Sequence, residues 1–199
     1  MMNMPFVASM LAVGLLAQAP ATKIDLRTKA GVEQIKGEWR YHDVKIIEVD
    51  GKGPPPENKA VKTYSFEPRA EKPTFDDSAW EVLDPTTLGG RRANGQLCFN
   101  WYRIKVTIPA EAEGKVVHFV TTVDDYGEVW VDGKLNYKAG TSGGSVVAGF
   151  NTPNRVELKD AKPGQQVQIA IFGINGPISA TPGNWIFLGD TSLEILDKK

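Results

Sequence analysis

Apolar and polar residues alternate along most of the chain after residue 98, which is typical of β-strands with one face against a core. The clearest case is FNWYRIKVTI, where Tyr102, Ile104 and Val106 share one face and Trp101 and Arg103 share the other. Further strands of this kind are predicted at residues 115–123, 128–131, 166–174 and 184–196.

The N-terminal third is less regular. Val32, Ile35 and Trp39 have a loose helical spacing, which predicts a short helix at about residues 26–35. Strands are predicted at residues 40–49 and 61–66, separated by the proline-rich loop 51–58, because proline cannot donate to a strand ladder. Asp76 and Asp77 are placed to cap a single turn before Trp80.

The order of these elements predicts the fold class. Strands recur with Gly, Pro and Asn between them, and no amphipathic helix is long enough to connect parallel strands. Asp132-Gly133 is the dipeptide that two-residue type I′ hairpins favour. We therefore expect an all-β chain, an antiparallel β-sandwich, with a single domain over residues 22–199.

The stretch VDDYGEVWVDGKL contains four carboxylate side chains, those of Asp124, Asp125, Glu128 and Asp132. The calcium-loop template fails here, because Val129 occupies the sixth position, where glycine is required. The simplest interpretation is a solvated hairpin whose acidic residues cap turns. A structural calcium ion held by Asp124 or Asp125 with loop carbonyls is a second interpretation.

A second apparent motif is G-x-S-x-G at residues 140–144. A nucleophile elbow needs a helix after the serine and a histidine later in the chain. Strand-like residues follow Ser142, and both histidines, His42 and His118, precede it. The only thiol, Cys98, excludes an intrachain disulfide and a cysteine-rich zinc site. The sequence therefore predicts no catalytic constellation and no cofactor apart from the calcium alternative.

The amino-acid composition and the net charge bear on which kinds of partner the chain can bind. Among 199 residues, 41% are hydrophobic and 24% charged, and the net charge is −1. The longest basic run is the pair Arg91-Arg92. Nucleic acid is therefore not an expected partner.

The first 21 residues carry no charged side chain and include an apolar run over residues 6–16. Ala19-Pro20-Ala21 fits the small-residue cleavage site of a secretory signal peptide. The run is short for a membrane span, which needs about 20 apolar residues. We expect cleavage after Ala21, no membrane span afterwards, and a secreted or periplasmic location. A buried or membrane-anchoring helix is the alternative.

Several segments of the chain resemble segments of one protein family, and they occur in the same order. They are KGEWRYH, FDDSAWEVLD, WYRIKVTIP and VDDYGEVWVDGKL, followed by the strands between residues 142 and 174. Together they resemble the N-terminal sugar-binding domain of family 2 glycoside hydrolases, with Asp132 where asparagine is usual. The resemblance covers about residues 35–174.

This resemblance implies a galactose-binding-like jelly roll. In that family the catalytic carboxylates lie in a downstream TIM barrel, and this chain ends at Lys199 without one. The implied function is a non-catalytic carbohydrate-binding or accessory module, with a glycan or oligosaccharide as ligand. Similar modules also occur beside lactonase-like propellers. The alternative is therefore a module that docks a separate glycosidase or lactonase-like enzyme without binding sugar itself.

A sugar site combines aromatic faces with charged or amide groups, because sugars present apolar C–H faces and a rim of hydroxyls. Three local groups have this composition. The candidate ligand-binding residues are Trp101 and Arg103, then Tyr126, Glu128 and Trp130, then Asn184 and Trp185.

Overall fold

The computed structural model describes residues 19–92, 99–124, 126–135, 146–147, 152–175 and 185–198. One helix, α1 (Lys29–Gln34), and two 3₁₀ turns, Pro85–Thr87 and Ala110–Ala112, lie among the strands. The strands are β1 (Thr22–Asp25), β2 (Trp39–Asp43), β3 (Lys45–Lys52), β4 (Ala60–Glu67), β5 (Glu81–Leu83), β6 (Phe99–Thr107), β7 (Val116–Val123), β8 (Tyr126–Val131), β9 (Lys134–Leu135), β10 (Val146–Val147), β11 (Pro153–Glu157), β12 (Gln166–Ile174) and β13 (Leu188–Leu196).

Two antiparallel sheets form the sandwich. The four-stranded sheet has the order β1-β13-β7-β11. The seven-stranded sheet has the order β10-β8-β12-β6-β2-β5, and β9 pairs with β8. The prediction of an all-β antiparallel sandwich is confirmed. No helix within the described ranges is long and apolar enough to span a bilayer.

The main core fills the space between the sheets. Tyr102, Ile104 and Val106 of β6 point inward and are almost fully buried, as the alternation predicts. Val117 and Phe119 of β7 meet them from the four-stranded sheet and belong to the same buried cluster. Burial of side chains of this size contributes about 1.5–3 kcal/mol each, so this layer supplies much of the stability.

Helix α1 is shorter than the predicted span 26–35. Leu26 still belongs to the sheet pairing, because its N–H donates to the Thr191 carbonyl. The helix begins after Thr28, whose Oγ1 accepts the Gly31 N–H at 3.0 Å. Its C-cap is Ile35, a fully buried residue.

The predicted strand 40–49 is two strands with different partners. β2 pairs with β6 in the large sheet, whereas β3 pairs with β4 in a separate two-stranded hairpin. Between them, the Val44 N–H donates to the Phe99 carbonyl, and its side chain is buried. The apolar positions change phase between Tyr41 and Val44, which are three residues apart, and this break in the alternation marks the point where the partner changes.

The predicted hairpin turn at Asp132-Gly133 is confirmed. Both residues have positive φ, 48° and 75°, as a type I′ turn requires. Val131 and Lys134 are paired on either side of it. The Asp132 carboxylate accepts the Gln168 N–H at 2.9 Å, so this acidic residue joins the turn to the neighbouring strand.

Candidate functional site

The outer face of the seven-stranded sheet, opposite the main core, is partly covered. Residues 66–80, here called the cover segment, pack on it and form a second apolar cluster. The cluster contains Val44, Ala70, Trp80, Trp101, Ala170 and Phe172, with Phe66, Phe75, Phe99, Trp130 and Ile174 packed against it. The candidate residues of β6 and β8 lie on this face, so the cover segment decides which of them a ligand can reach.

Trp101 lies beneath the cover segment and is 0% exposed. Its Nε1 donates to the Pro68 carbonyl at 2.9 Å. Its ring centroid lies 4.9 Å from that of Phe172 and 6.2 Å from that of Phe66. This burial corrects the expectation that Trp101 forms a sugar platform, because no face of the ring is left for a ligand.

Arg103 is also 0% exposed, and it attaches the cover segment to the sheet. Its Nε donates to Asp77 Oδ2 at 2.7 Å, and its Nη1 donates to the carbonyls of Ala70 and Lys72. Burial lowers the pKa of the Arg103 guanidinium, and the Asp77 carboxylate opposes that shift. The expectation that Arg103 shares an exposed sugar platform with Trp101 is corrected accordingly, because its Nε and Nη1 bind the cover segment.

The three candidates on β8 remain accessible. Tyr126, Glu128 and Trp130 project from the outer face and are half-buried, whereas Gly127 and Val129 between them point into the core. Glu128 accepts two hydrogen bonds through different oxygens, from the Tyr126 hydroxyl at 3.2 Å and from Trp130 Nε1 at 3.3 Å. We call these three residues the β8 platform.

The chemistry of the β8 platform suits a neutral polar ligand with apolar faces. Two aromatic rings flank one carboxylate, and the hydrogen bonds from those rings hold the carboxylate in place. Each carboxylate oxygen has two lone pairs, so Glu128 keeps acceptor capacity for ligand hydroxyls. The period-two alternation predicted that these three residues share a face, and the structure places them there.

The predicted calcium ligands are only partly within the described residues. Asp124 is nearly buried, and its backbone N–H donates to the Phe187 carbonyl at 3.2 Å. Asp125 lies outside the described residues. Within the described part of the chain, no group of three or more acidic, histidine or cysteine side chains could hold a metal ion. The calcium site stays a prediction.

Trp185 precedes β13 and is the member of the third candidate pair that lies within the described residues. It is half-buried, and the Arg91 guanidinium lies 4.7 Å from its ring centroid. The Asn175 side chain donates to the Trp185 carbonyl at 2.7 Å. Arg91 therefore occupies one face of the ring, which leaves less of it for a ligand. Asn184 lies outside the described residues.

Sequence reasoning missed the cover segment, although a signal for it was present. Both faces of β6 carry large apolar residues, Phe99 and Trp101 on one side and Tyr102 and Ile104 on the other. Strands with apolar residues on both faces are typically buried on both. Phe66, Phe75 and Trp80 are the aromatic residues of the cover segment that complete this second layer.

The β3–β4 hairpin is the most exposed part of the described structure that carries large apolar side chains. Tyr64 is 75% exposed, Val61 40% and Ile46 36%. Lys62 forms ion pairs with Glu48 and Asp50 on the same hairpin. The hairpin thus presents an apolar surface mixed with charge to the solvent.

Comparison with known proteins gives the context of this fold. No family model and no curated protein matches the chain. Among solved structures, it is similar to a glycosyl hydrolase family 2 member from Bacteroides cellulosilyticus, with 18% identity, a TM-score of 0.51, and coverage of 80% of this chain and 20% of the other.

Two enzymes from Bacteroides uniformis are similar to the same extent. One is β-glucuronidase 2 covalently bound to cyclophellitol-6-carboxylate aziridine, with 15% identity, a TM-score of 0.52, and coverage of 88% and 18%. The other is a β-glucuronidase with 16% identity, a TM-score of 0.53, and the same coverage. The chain spans about a fifth of the length of these proteins. It therefore has the fold of a domain found in family 2 glycosyl hydrolases, as its motifs predicted.

Proposed function

We propose that the chain is a non-catalytic carbohydrate-binding or accessory β-sandwich module, and that the β8 platform contacts the sugar. The observation that carries this proposal is the carboxylate of Glu128, which the Tyr126 hydroxyl and the Trp130 indole hold between two half-buried rings on the outer sheet face. Rings of this kind pack against the C–H faces of a sugar, and a fixed carboxylate accepts its hydroxyls.

The non-catalytic part of the proposal draws on the extent of the structural similarity. The similar solved proteins are several times longer, and only a domain-sized part of each corresponds to this chain. A module of this size assists an enzyme or brings it to its substrate. The ligand of the module is then the glycan or oligosaccharide on which that enzyme acts.

The test is a glycan-array screen of residues 22–199 followed by calorimetric titration of the best ligand, with calcium and with chelator. Replacing Trp130 with alanine should weaken binding about tenfold, because losing one aromatic contact of about 1.4 kcal/mol raises Kd by that factor. Tyr64→Ala is the matched control, since it removes an exposed ring from the β3–β4 hairpin, outside the β8 platform. Loss of affinity on chelation would support the calcium site at Asp124 and Asp125.

Two results would contradict the proposal. One is a screen with calcium in which no glycan binds. The other is a Trp130→Ala variant that binds the selected glycan as tightly as the unmodified chain.

A second candidate function is docking of a separate glycosidase or lactonase-like enzyme without sugar binding. The exposed Tyr64 and Ile46, which share one face of the β3–β4 hairpin, favour it, because exposed apolar residues on one face are common in protein interfaces. The same two variants separate the functions. A docked enzyme should bind Trp130→Ala normally and Tyr64→Ala weakly, whereas a sugar should show the opposite pattern.

We also propose that the chain acts outside the cytoplasm after removal of residues 1–21. Strand β1 begins at Thr22, where it pairs with Ile195, so cleavage after Ala21 would leave every described strand intact. Expression of the full chain in a secreting bacterial host should yield a periplasmic or extracellular protein whose N-terminal residue is Thr22. An uncleaved chain retained in the cytoplasm would contradict this location.

A further inference from the structure

A small cleft opens on the outer face of the seven-stranded sheet, beside the cover segment. Its volume is about 230 Å³. It lies where β2, β6 and β12 run side by side, at the end of β6 away from Trp101. The charged and amide residues that line it are Lys36, Glu38, Arg40, Asp77, Arg103, Lys105, Gln166 and Gln168.

The lining is electropositive, although the whole chain has a net charge of −1. Four cationic side chains face two carboxylates. Both carboxylates are already used, because Glu38 pairs with Arg40 and Asp77 pairs with Arg103. Lys36 and Lys105 have no ion-pair partner among the residues that the structure describes, so their charges are available to an anion.

Two buried side chains in the lining have unused hydrogen-bonding atoms. Arg103 is 0% exposed, and its Nη2 has no partner within the described ranges. Gln168 is 4% exposed; its Nε2 donates to the carbonyls of Ile104 and Ile169, and its Oε1 has no partner there. An unpaired buried polar group is costly. A ligand that supplied an acceptor to Arg103 and a donor to Gln168 would remove that cost.

We propose that this cleft, here called the Arg103 cleft, binds a small carboxylate-bearing polyol, such as a monosaccharide sugar acid. The carboxylate would lie between the Arg103 guanidinium and the ammonium groups of Lys36 and Lys105. A hydroxyl of the same molecule would donate to Gln168 Oε1. Pockets for larger ligands have about 300–1,000 Å³, so a cleft of this volume suits one sugar unit and not an oligosaccharide.

Access requires a modest adjustment of the lining. Arg103 Nη2 and Gln168 Oε1 are buried atoms of residues that line the cleft. Lys36 and Lys105 are exposed and flexible, and side-chain rotamer changes are common when ligands bind. The Arg103 cleft is distinct from the β8 platform, so this proposal and the proposed function can each fail alone.

The test is calorimetric titration of residues 22–199 with glucuronate as the probe. Glucose is its neutral counterpart, acetate carries the carboxylate without the polyol, and inorganic phosphate is a simple anion. We expect glucuronate to bind at least about tenfold more tightly than the other three, because it alone combines a carboxylate for Arg103 and the two lysines with the sugar hydroxyls that can donate to Gln168.

Variants of equal charge locate the site. The double substitution Lys36→Gln and Lys105→Gln should weaken glucuronate binding about tenfold or more. The control, Lys23→Gln with Lys45→Gln, removes two exposed lysines elsewhere and should leave the affinity unchanged. Trp130→Ala should also leave glucuronate binding unchanged, since Trp130 does not line the cleft.

Several outcomes would overturn the proposal. Absence of glucuronate binding would do so directly. Equal binding of phosphate and glucuronate would mean a simple anion site, and equal weakening by both lysine pairs would mean an effect of net charge. Loss of glucuronate binding in Trp130→Ala would assign the ligand to the β8 platform instead.

Discussion

Replacing Arg103 with methionine should lower the free energy of unfolding by about 3 kcal/mol. Breaking a buried ion pair by removing one partner costs about 3–5 kcal/mol, and the lower end applies because the Asp77 side chain is 21% exposed and can take up water. Methionine keeps the length of the buried aliphatic chain. The lost stability therefore comes mainly from the ion pair with Asp77 and from the hydrogen bonds to the carbonyls of Ala70 and Lys72.

Urea denaturation measures this loss. Lys105→Met is the matched control, because Lys105 lies two residues later on the same strand face but is exposed, and its substitution should change stability by less than about 0.5 kcal/mol. Asp77→Asn completes a double-mutant cycle that isolates the pair. If Arg103→Met were as stable as the unmodified chain, Arg103 would not hold the cover segment. The prediction that Arg103 binds a sugar together with Trp101 would then stand again.

Replacing Trp101 with alanine should cost about 3–5 kcal/mol, which is the usual range for a large aromatic residue removed from a core. The indole is fully buried, lies against Phe172, and donates to the Pro68 carbonyl. Trp101→Phe should cost less, since it keeps most of the packing and loses about 1 kcal/mol for the hydrogen bond.

Thermal and urea denaturation of these variants can be compared with Trp130→Ala. Trp130 is half-buried, so its removal should destabilise the fold less than that of Trp101 while affecting the ligand more. The opposite pattern, with Trp101→Ala stable but unable to bind glycan, would restore Trp101 as a ligand contact and mean that the cover segment opens in solution.

The burial of Trp101 and Arg103 limits the part of the outer sheet face that a ligand can reach. Because Trp101 and Arg103 pack against the cover segment, two regions of this face are left for a ligand: the β8 platform on β8, and the Arg103 cleft along β2, β6 and β12. An aromatic platform favours stacking on a sugar ring, whereas a cationic cleft selects for charge. A ligand with both a neutral sugar and an acidic sugar could use the two regions separately.

The candidate site was predictable where local alternation decides it. Tyr126, Glu128 and Trp130 are spaced two positions apart on one strand, so their shared face follows from the pleat alone. Trp101 and Arg103 were assigned to the correct face of β6 in the same way. Their burial was signalled only by the large apolar residues on both faces of β6, because the residues that cause it, 66–80, reach this face from far away in the sequence.

The sequence by itself determined the strands, the inward-facing positions of β6, the Asp132-Gly133 turn and the all-β class, because each depends on neighbours within a few residues. Only the tertiary structure decided that β3 leaves the large sheet, that the cover segment buries one part of the outer face, and that four cations line one cleft. Those outcomes depend on contacts between distant segments, whose free energies of packing and desolvation no local pattern records.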